Sequence, residues 1–307
     1  MLSRRHLRIK VLQALYAFGN QLPDADIRVC EKNLITSINS IAELYYFYFY
    51  TLLELINYID SLFEKKILSE PTEFHKNQAI QLLRKDKAFL KKLENKRFPT
   101  LVDEEMLSSL YRSAKDRNKF NERLKLKATD LSQDQQFLLF LVNKVIRKSE
   151  FFNSTMEDNY INWQTDKNLI IKSIVSTIKR LSIKPIKGNG HIDLNDDWDE
   201  ELKFSKNLLG DTVINDSEYQ EMITAKTKNW DSDRIAVLDN ILMKMALCEL
   251  LNFPTIPVKV TMDEYIEISK EYSTPKSKIF INGVLDKLLS QLKKDKKIIK
   301  VGRGLKN

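Results

Sequence analysis

Apolar side chains recur every three to four residues along most of this 307-residue chain, which is the spacing of one buried face of an α-helix. Near the start, Leu7, Val11, Leu15 and Phe18 share such a face in a helix predicted over residues 3–18. Near the end, a second stripe runs through Phe280, Val284, Leu285, Leu288, Leu289 and Leu292. Glycine and proline occur only seven times each, which favours long helices over turn-rich sheets. The pattern therefore predicts an all-α fold.

Two helix starts are specified in the C-terminal part of the chain. Thr261 and Glu264 have the spacing of a capping box, in which each side chain hydrogen-bonds a backbone N–H at the helix start. Thr274 followed by Pro275 is a second start signal, an N-cap residue before a proline at the first helical position. Gly283 interrupts the second helix at a cost of about 1 kcal/mol relative to alanine, which suggests close helix packing or a surface that another chain approaches.

The same region resembles the C-terminal signature of the bacterial NusB antitermination factors. The matching phrases are Ile256-Pro-Val-Lys-Val260, Glu267-Ile-Ser-Lys270 and Phe280-Ile-Asn-Gly-Val-Leu-Asp286, preceded by Asp239-Asn-Ile-Leu242 and Ala246-Leu-Cys-Glu-Leu250. The first helix adds Gln13-Ala-Leu-Tyr16, so the resemblance covers both ends of the chain. It implies an all-helical, NusB-like bundle of two subdomains.

The resemblance also implies a function and its residues. NusB factors bind the single-stranded boxA element of ribosomal RNA transcripts together with NusE, a small-subunit ribosomal protein. The complex helps RNA polymerase resist premature termination and supports ribosomal RNA maturation. The family's RNA-contacting positions match Arg4, Arg5, Arg8 and Tyr16 in the first helix, and Lys276, Lys278, Phe280 and Asn282 near the last helix. Its NusE-binding face matches Asp239, Lys244 and Glu249.

The residue types leave alternatives open at several of these positions. Arg4 and Arg8 are four positions apart and share a helical face that can follow a phosphate backbone, but they could equally solubilise an exposed helix. Tyr16 could stack on a base or lie in the core. Phe280 and Glu249 could both be buried, Glu249 as a carboxylate that ties helices together. In addition, Lys276 stands where acidic residues are frequent in the family, which would favour sequence-independent RNA affinity.

The family pattern explains the middle of the chain poorly. We interpret residues 24–197 as a helical insertion between the first NusB-type helix (residues 1–23) and the NusB-type core (residues 198–295). Residues 296–307 form a basic tail that we expect to be flexible, and residues 185–199 are the best linker candidate. Helices are expected near residues 39–65, 132–148 and 167–181. Two basic segments carry Lys85, Lys87, Lys91, Lys92, Lys96 and Arg97, and then Lys115, Arg117, Lys119, Arg123, Lys125 and Lys127.

An aromatic run, Tyr45-Tyr-Phe-Tyr-Phe-Tyr50, lies within the first of these predicted helices. Aromatic rings can stack on bases in single-stranded nucleic acids. A run of consecutive aromatic residues inside a long helix more often fills a hydrophobic core. We therefore favour a core role for this run.

A formal net charge of +8 favours an anionic partner, nucleic acid before membrane, although lysine-rich surfaces also serve solubility alone. Cys30 and Cys248 lie far apart in the sequence and predict neither a zinc site nor a disulfide framework. The most hydrophobic segment, residues 44–56, contains Glu54 and is too short to span a bilayer. Because no signal peptide is evident either, we expect a soluble, cytoplasmic protein.

Motifs for catalysis are missing from the sequence. It has no glycine-rich phosphate loop, no GxSxG elbow and no His/Glu pair at metal-ligand spacing. We therefore expect neither an enzyme nor a bound cofactor or metal. Two alternative functions stay open. One is a protein–protein adaptor in ribosome biogenesis with incidental basic charge. The other is a module related to ribosomal RNA cytosine methyltransferases, although the chain ends at Asn307 without the catalytic domain that such enzymes carry.

Overall fold

The computed structural model describes residues 4–21, 24–68, 72, 74–126, 128–182, 198–227 and 235–305. Every regular element in these ranges is helical, which confirms the predicted all-α fold. The chain divides into two compact units, which we describe separately. The central unit lies within Asn39–Leu194, and the terminal unit combines Leu2–Ile38 with Asn195–Asn307. No helix among the described residues is both long and apolar enough to cross a membrane.

The helices in chain order are α1 (Arg4–Gly19), α2 (Ile27–Ser61), α3 (Gln78–Lys85), α4 (Lys87–Leu93), α5 (Phe98–Leu101), α6 (Glu104–Lys115), α7 (Asn118–Leu124), α8 (Leu131–Phe140), α9 (Glu150–Asn159), α10 (Trp163–Arg180), α11 (Trp198–Ile214), α12 (Asp216–Lys226), α13 (Val237–Asn252), α14 (Val258–Tyr272) and α15 (Ser277–Lys294). Between α8 and α9 the chain forms a π-helical turn, Leu141–Val145, and a 3-10 turn, Ile146–Lys148. A further short 3-10 helix, Gly302–Leu305, follows α15.

The terminal unit is built around α13. All residues from 242 to 250 are buried, so that this helix is covered on every side along its second half. It packs against α1, α11, α12, α14 and α15. A helix that is apolar all round is typical of the centre of a bundle. The one carboxylate within this buried run, Glu249, consequently needs a partner inside the protein.

The central unit has an aromatic core supplied by α2. The first five rings of the run that begins at Tyr45 are all at least 92% buried, which confirms the predicted core role. The Phe47 ring packs edge-on against Phe98, with 5.3 Å between centroids. The buried hydroxyls are satisfied, since Tyr48 donates to the carbonyl of Val142 at 3.0 Å and Tyr45 lies 2.7 Å from the hydroxyl of Thr177. These rings are therefore not available to nucleic acid bases.

Both predicted C-terminal helix starts are wrong by a few residues. Helix α14 begins at Val258, directly after Pro257, and the side chain of Thr261 lies buried inside the helix. The tertiary contact with Glu249 replaces the expected capping box. Helix α15 begins at Ser277, after a turn at Pro275, and the hydroxyl of Thr274 bonds the hydroxyl of Ser277 rather than a backbone N–H.

Other boundaries also differ from the sequence pattern. Helix α2 begins at Ile27, well before the predicted start near residue 39. The helix predicted over residues 132–148 begins at Leu131 behind a capping box of Asp130 and Gln133, and it loses regular α geometry after Phe140. Most of the predicted linker over residues 185–199 lies outside the described residues, which resume at residue 198.

The end of the chain is held against the α13–α14 connection. The backbone N–H of Val301 donates to the carbonyl of Pro254 at 2.9 Å, and Lys300 Nζ donates to the carbonyl of Phe253 at 3.0 Å. Gly304 passes so close to Pro254 that an added Cβ would lie 2.0 Å from the Pro254 carbonyl oxygen. Hence part of the tail that the sequence predicts to be flexible makes specific contacts in this structure.

Candidate nucleic-acid interface

A buried ion pair joins the arginine-rich helix α1 to α13. Arg8 donates from Nε to Glu249 Oε2 at 2.7 Å and from Nη2 to Oε1 at 2.8 Å, with side chains 2% and 0% exposed. Thr261 and Tyr265 donate their hydroxyls to the same carboxylate, at 2.7 Å and 3.3 Å. Burial alone would lower the pKa of Arg8, but the Glu249 carboxylate raises it above its usual value. Arg8 is therefore a permanently charged structural group with almost no surface toward solvent.

The other two arginines of α1, Arg5 and Arg4, are partly exposed to solvent. Arg5 forms a two-pronged pair with Glu264, with Nε–Oε2 and Nη2–Oε1 distances of 2.9 Å and 2.8 Å. The hydrogen bond to Glu264 raises the pKa of Arg5. Arg4 bonds Glu200 at 2.9 Å, and its guanidinium carbon lies 5.1 Å from the ring centroid of Phe204. Their side chains are 41% and 34% exposed, so that both keep an accessible edge.

A groove of about 620 Å³ lies beside the start of α15 in the terminal unit. Its floor includes the half-buried ring of Phe280 together with Ile279, which is 72% exposed. Lys226, Lys276 and Lys287 also line the groove. An apolar floor beside ammonium groups can hold an aromatic base while its phosphates meet the lysines. The structure thus brings together Lys276 and Phe280 from the predicted RNA-contacting set.

Gly283 lies on the same groove. An added Cβ at this glycine would meet no heavy atom within 4 Å. The expectation of close helix packing at Gly283 is therefore wrong, because no helix among the described residues comes within contact distance of this position. The second interpretation of this glycine, a surface that another chain can approach, is compatible with its exposure.

The remaining members of the predicted RNA-contacting set are dispersed. Lys278 is exposed on α15, and Asn282 donates to Asp286 at 3.0 Å. Tyr16 is 44% exposed on α1, so it is not the core residue of the alternative interpretation. It is not among the described residues that line the groove.

The three residues predicted to bind a protein partner are largely buried in the terminal unit. Asp239 is 4% exposed and accepts a hydrogen bond from Ser273. Lys244 is 9% exposed and pairs with Asp216 at 2.6 Å. Glu249 has no exposure at all, which matches the alternative of a carboxylate that ties helices together. Of these contacts, only Asp216 presents a largely exposed side chain, at 56%.

The sequence analysis missed the acceptors and hydroxyls that complete this arrangement. Glu264 forms an ion pair with Arg5, and its carboxylate also lies 3.7 Å from Arg8. The hydroxyl of Tyr265 donates a hydrogen bond to the buried carboxylate of Glu249. One sequence signal pointed to the central ion pair of this arrangement, although not to Glu264 or Tyr265. A lone glutamate in the apolar run from Leu242 to Leu250 requires a buried cation, and the arginines of α1 are candidates for it.

Comparisons with known proteins concern the terminal unit above all. A family model described as the NusB family matches residues 178–290. The transcription antitermination protein NusB of Salinibacter ruber is 44% identical over 102 residues, which cover 33% of this chain and 64% of that protein. The protein of the same name from Chloroherpeton thalassium is 36% identical over 102 residues, covering 33% and 48%.

A third relative is covered more completely. The transcription antitermination protein NusB of Natranaerobius thermophilus is 34% identical over 100 residues, which cover 31% of this chain and 72% of that protein. By contrast, the matched part of the chain spans only 64% and 48% of the first two relatives. No solved structure gives a significant match.

Proposed function

Because the chain belongs to the NusB family, we propose that it is a non-catalytic transcription antitermination factor. In this proposal it binds boxA-like single-stranded RNA of ribosomal RNA transcripts together with a NusE-type ribosomal protein. It thereby supports transcription and maturation of ribosomal RNA. The relatives carry the name of transcription antitermination proteins. The observation that carries the RNA-binding part is the lysine-lined apolar groove beside α15.

The groove offers two kinds of contact that single-stranded RNA requires. The half-buried ring of Phe280 can stack on an unpaired base, an interaction worth about 1–3 kcal/mol for each base. Lys276 and Lys278 are exposed at the start of the same helix and can neutralise phosphates on either side of that base. Asn282, one turn further on, can exchange its bond to Asp286 for a base edge. Affinity then comes from the lysines and base preference from the groove.

We propose that the residues of α1 contribute to the same RNA-binding surface in different ways. Tyr16 is exposed and can meet a second base. Arg5 and Arg4 reach RNA phosphate only by exchanging Glu264 and Glu200, which costs part of the binding energy. Arg8 acts indirectly, since its pair with Glu249 fixes α1 against α13. We place a NusE-type partner near Asp216 and Lys244, with Asp239 and Glu249 as buried supports.

We further propose that the central unit is an insertion into the NusB-type module. The sequence places its limits at residues 24 and 197, and contacts divide the chain after Ile38 and before Asn195. The family model begins at residue 178, near the end of α10. In this proposal the first turns of α2 belong to the NusB-type module and the remainder of the helix to the insertion.

The test is RNA affinity as a function of salt, with a boxA-like strand and a scrambled strand, with and without the NusE-type protein. For single-stranded RNA each lost phosphate contact flattens the log–log salt slope by about 0.7, so Lys276→Gln/Lys278→Gln should flatten it by about 1.4. Lys293→Gln/Lys294→Gln removes the same charge from the other end of α15 and should leave the slope unchanged. Equal slopes for the two variants would contradict the proposed surface.

A protein–protein adaptor is the second candidate. It is favoured by the observation that all three arginines of α1 already contact carboxylates within the protein. An adaptor should bind the NusE-type protein with the same affinity whether or not RNA is present, and should show no preference for boxA over the scrambled strand. Preference for boxA that increases when the partner is added would exclude it.

A further inference from the structure

The central unit contains a basic groove that the family resemblance does not reach. Its cavity volume is about 890 Å³. Five cationic side chains line it, namely Arg117, Lys119, Lys144, Arg147 and Lys148. No carboxylate belongs to the lining among the described residues. Leu139 and Phe140 supply the apolar side chains of the described lining.

Two segments of the chain converge at this groove. Arg117 directly precedes α7 in the tight connection after α6, and Lys119 is the second residue of α7. The other three cations come from the π-helical turn Leu141–Val145 and the 3-10 turn that follows it. Lys144, Arg147 and Lys148 all line the same groove. Single π-turns within helices occur frequently at functional sites.

None of the cations that line this groove contacts a carboxylate among the described residues. Arg117 donates to the backbone carbonyl of Ser113 at 3.0 Å, and Arg147 donates to the side-chain oxygen of Asn168 at 3.2 Å. Both acceptors are neutral. None of the three lysines forms an ion pair with a described residue. The arginines of α1 differ in this respect, since each of them contacts a glutamate.

A structural role accounts for only part of this arrangement. Like charges that surround one cavity repel each other and destabilise the unit that carries them. Arg147 and Lys148 lie in the last turn of a helical segment, where the helix C-terminus offsets part of this repulsion. Among the described residues, however, no carboxylate contacts any of the five cations of the lining. An anionic ligand from outside would relieve the repulsion. The groove is therefore suited to bind an anion with several charges spaced along it.

We propose that this groove binds the phosphate backbone of RNA as a second RNA contact of the protein. The choice of RNA rests on the proposed function, while the choice of an anion rests on the groove alone. Arginine offers a planar fork that matches phosphate oxygens, and lysine adds point charges without base preference. Phe140 is 93% buried, so the groove has no open ring on which a base could stack. Binding here is accordingly independent of RNA sequence.

The test uses the full chain and a labelled oligouridylate of about 20 nucleotides, which exceeds the roughly 4–16 nucleotides that a single-strand binding module typically covers. Lys119→Gln/Lys144→Gln/Lys148→Gln removes three exposed charges from the groove and spares both hydrogen-bonded arginines. Lys91→Gln/Lys92→Gln/Lys96→Gln removes three exposed charges elsewhere in the same unit and serves as the matched control. Dissociation constants are measured by fluorescence anisotropy over a range of salt concentrations.

The groove variant should flatten the log–log salt slope by about 2, and weaken binding at 0.1 M salt roughly 100-fold, if three phosphate contacts are lost. The control variant should bind like the unmodified chain. Hydrogen exchange supplies a second readout, because RNA should slow exchange in peptides that cover residues 141–148. Equal slopes for the two variants, or unchanged exchange in these peptides, would overturn the proposal.

A parallel measurement with Lys276→Gln/Lys278→Gln separates this proposal from the proposed function. If that variant binds boxA-like RNA normally while the groove variant does not, the result supports RNA binding at the groove of the central unit and contradicts RNA binding at the α15 surface. If the groove variant binds oligouridylate normally while the α15 variant loses boxA preference, the result contradicts RNA binding at the groove and supports the proposed function.

Discussion

The buried Arg8–Glu249 pair is the contact on which the terminal unit should depend most. Glu249→Gln removes the negative charge but keeps the size of the side chain, and it leaves the Arg8 guanidinium in a site where it is only 2% exposed. The nearest other carboxylate oxygen, Glu264 Oε2, lies 3.7 Å from Arg8 and is already bonded to Arg5. Breaking a buried ion pair by removal of one partner typically costs about 3–5 kcal/mol.

Hydrogen exchange of α13 peptides measures this cost within the terminal unit alone. Because about 1.4 kcal/mol changes an equilibrium constant tenfold, we expect the protection factors to fall between roughly 100-fold and several thousand-fold. Arg5→Gln is the matched control, since it breaks a partly exposed pair that should contribute at most about 1 kcal/mol, or roughly fivefold. A decrease for Glu249→Gln no larger than that for Arg5→Gln would refute the reasoning.

A double variant separates the effect of the buried charges on stability from the effect of side-chain packing. Arg8→Met/Glu249→Leu removes both charges and refills the site with apolar atoms, an exchange that is often neutral or stabilising for buried pairs. Recovery should nevertheless be incomplete. The hydroxyls of Thr261 and Tyr265 lose their common acceptor, and an unsatisfied buried polar group costs about 1–3 kcal/mol. We therefore expect the double variant to lie between the unmodified chain and Glu249→Gln.

Three further predictions concern other parts of the two units. Burial raises the pKa of the Cys248 thiol to about 12, so that iodoacetamide at pH 8 should alkylate the less buried Cys30 first; equal rates by mass spectrometry would contradict this. Gly304→Ala should accelerate hydrogen exchange of residues 300–305, because its Cβ would collide with the Pro254 carbonyl, whereas Gly210→Ala in α11 meets no neighbour and should not. Phe47→Ala should destabilise the central unit by about 3–5 kcal/mol, observed as faster exchange in α2 and α6 but not in α13.

The sequence alone determined the fold class and the family signature. Helical spacing of apolar residues is a local property, and it indicated most of the buried positions of α1 and α15. Phe18, Phe280 and Leu289 are the exceptions, since they are only partly buried. The aromatic run of α2 was likewise assigned to the core, because such a concentration of rings is costly to expose. The phrases of the NusB signature lie within contiguous segments, so they could be read without knowledge of the fold.

The tertiary structure alone decided what each charged residue does. Arg4, Arg5 and Arg8 look alike in the sequence, yet their exposure falls from about two fifths to almost nothing, because only Arg8 faces the buried carboxylate of Glu249. That carboxylate comes from a helix more than 200 residues away in the chain. The same applies to Thr261. Its spacing to Glu264 fits a capping box, but its hydroxyl donates a hydrogen bond to Glu249 instead. Local patterns predict helices, whereas the partner of a charge depends on which helices meet.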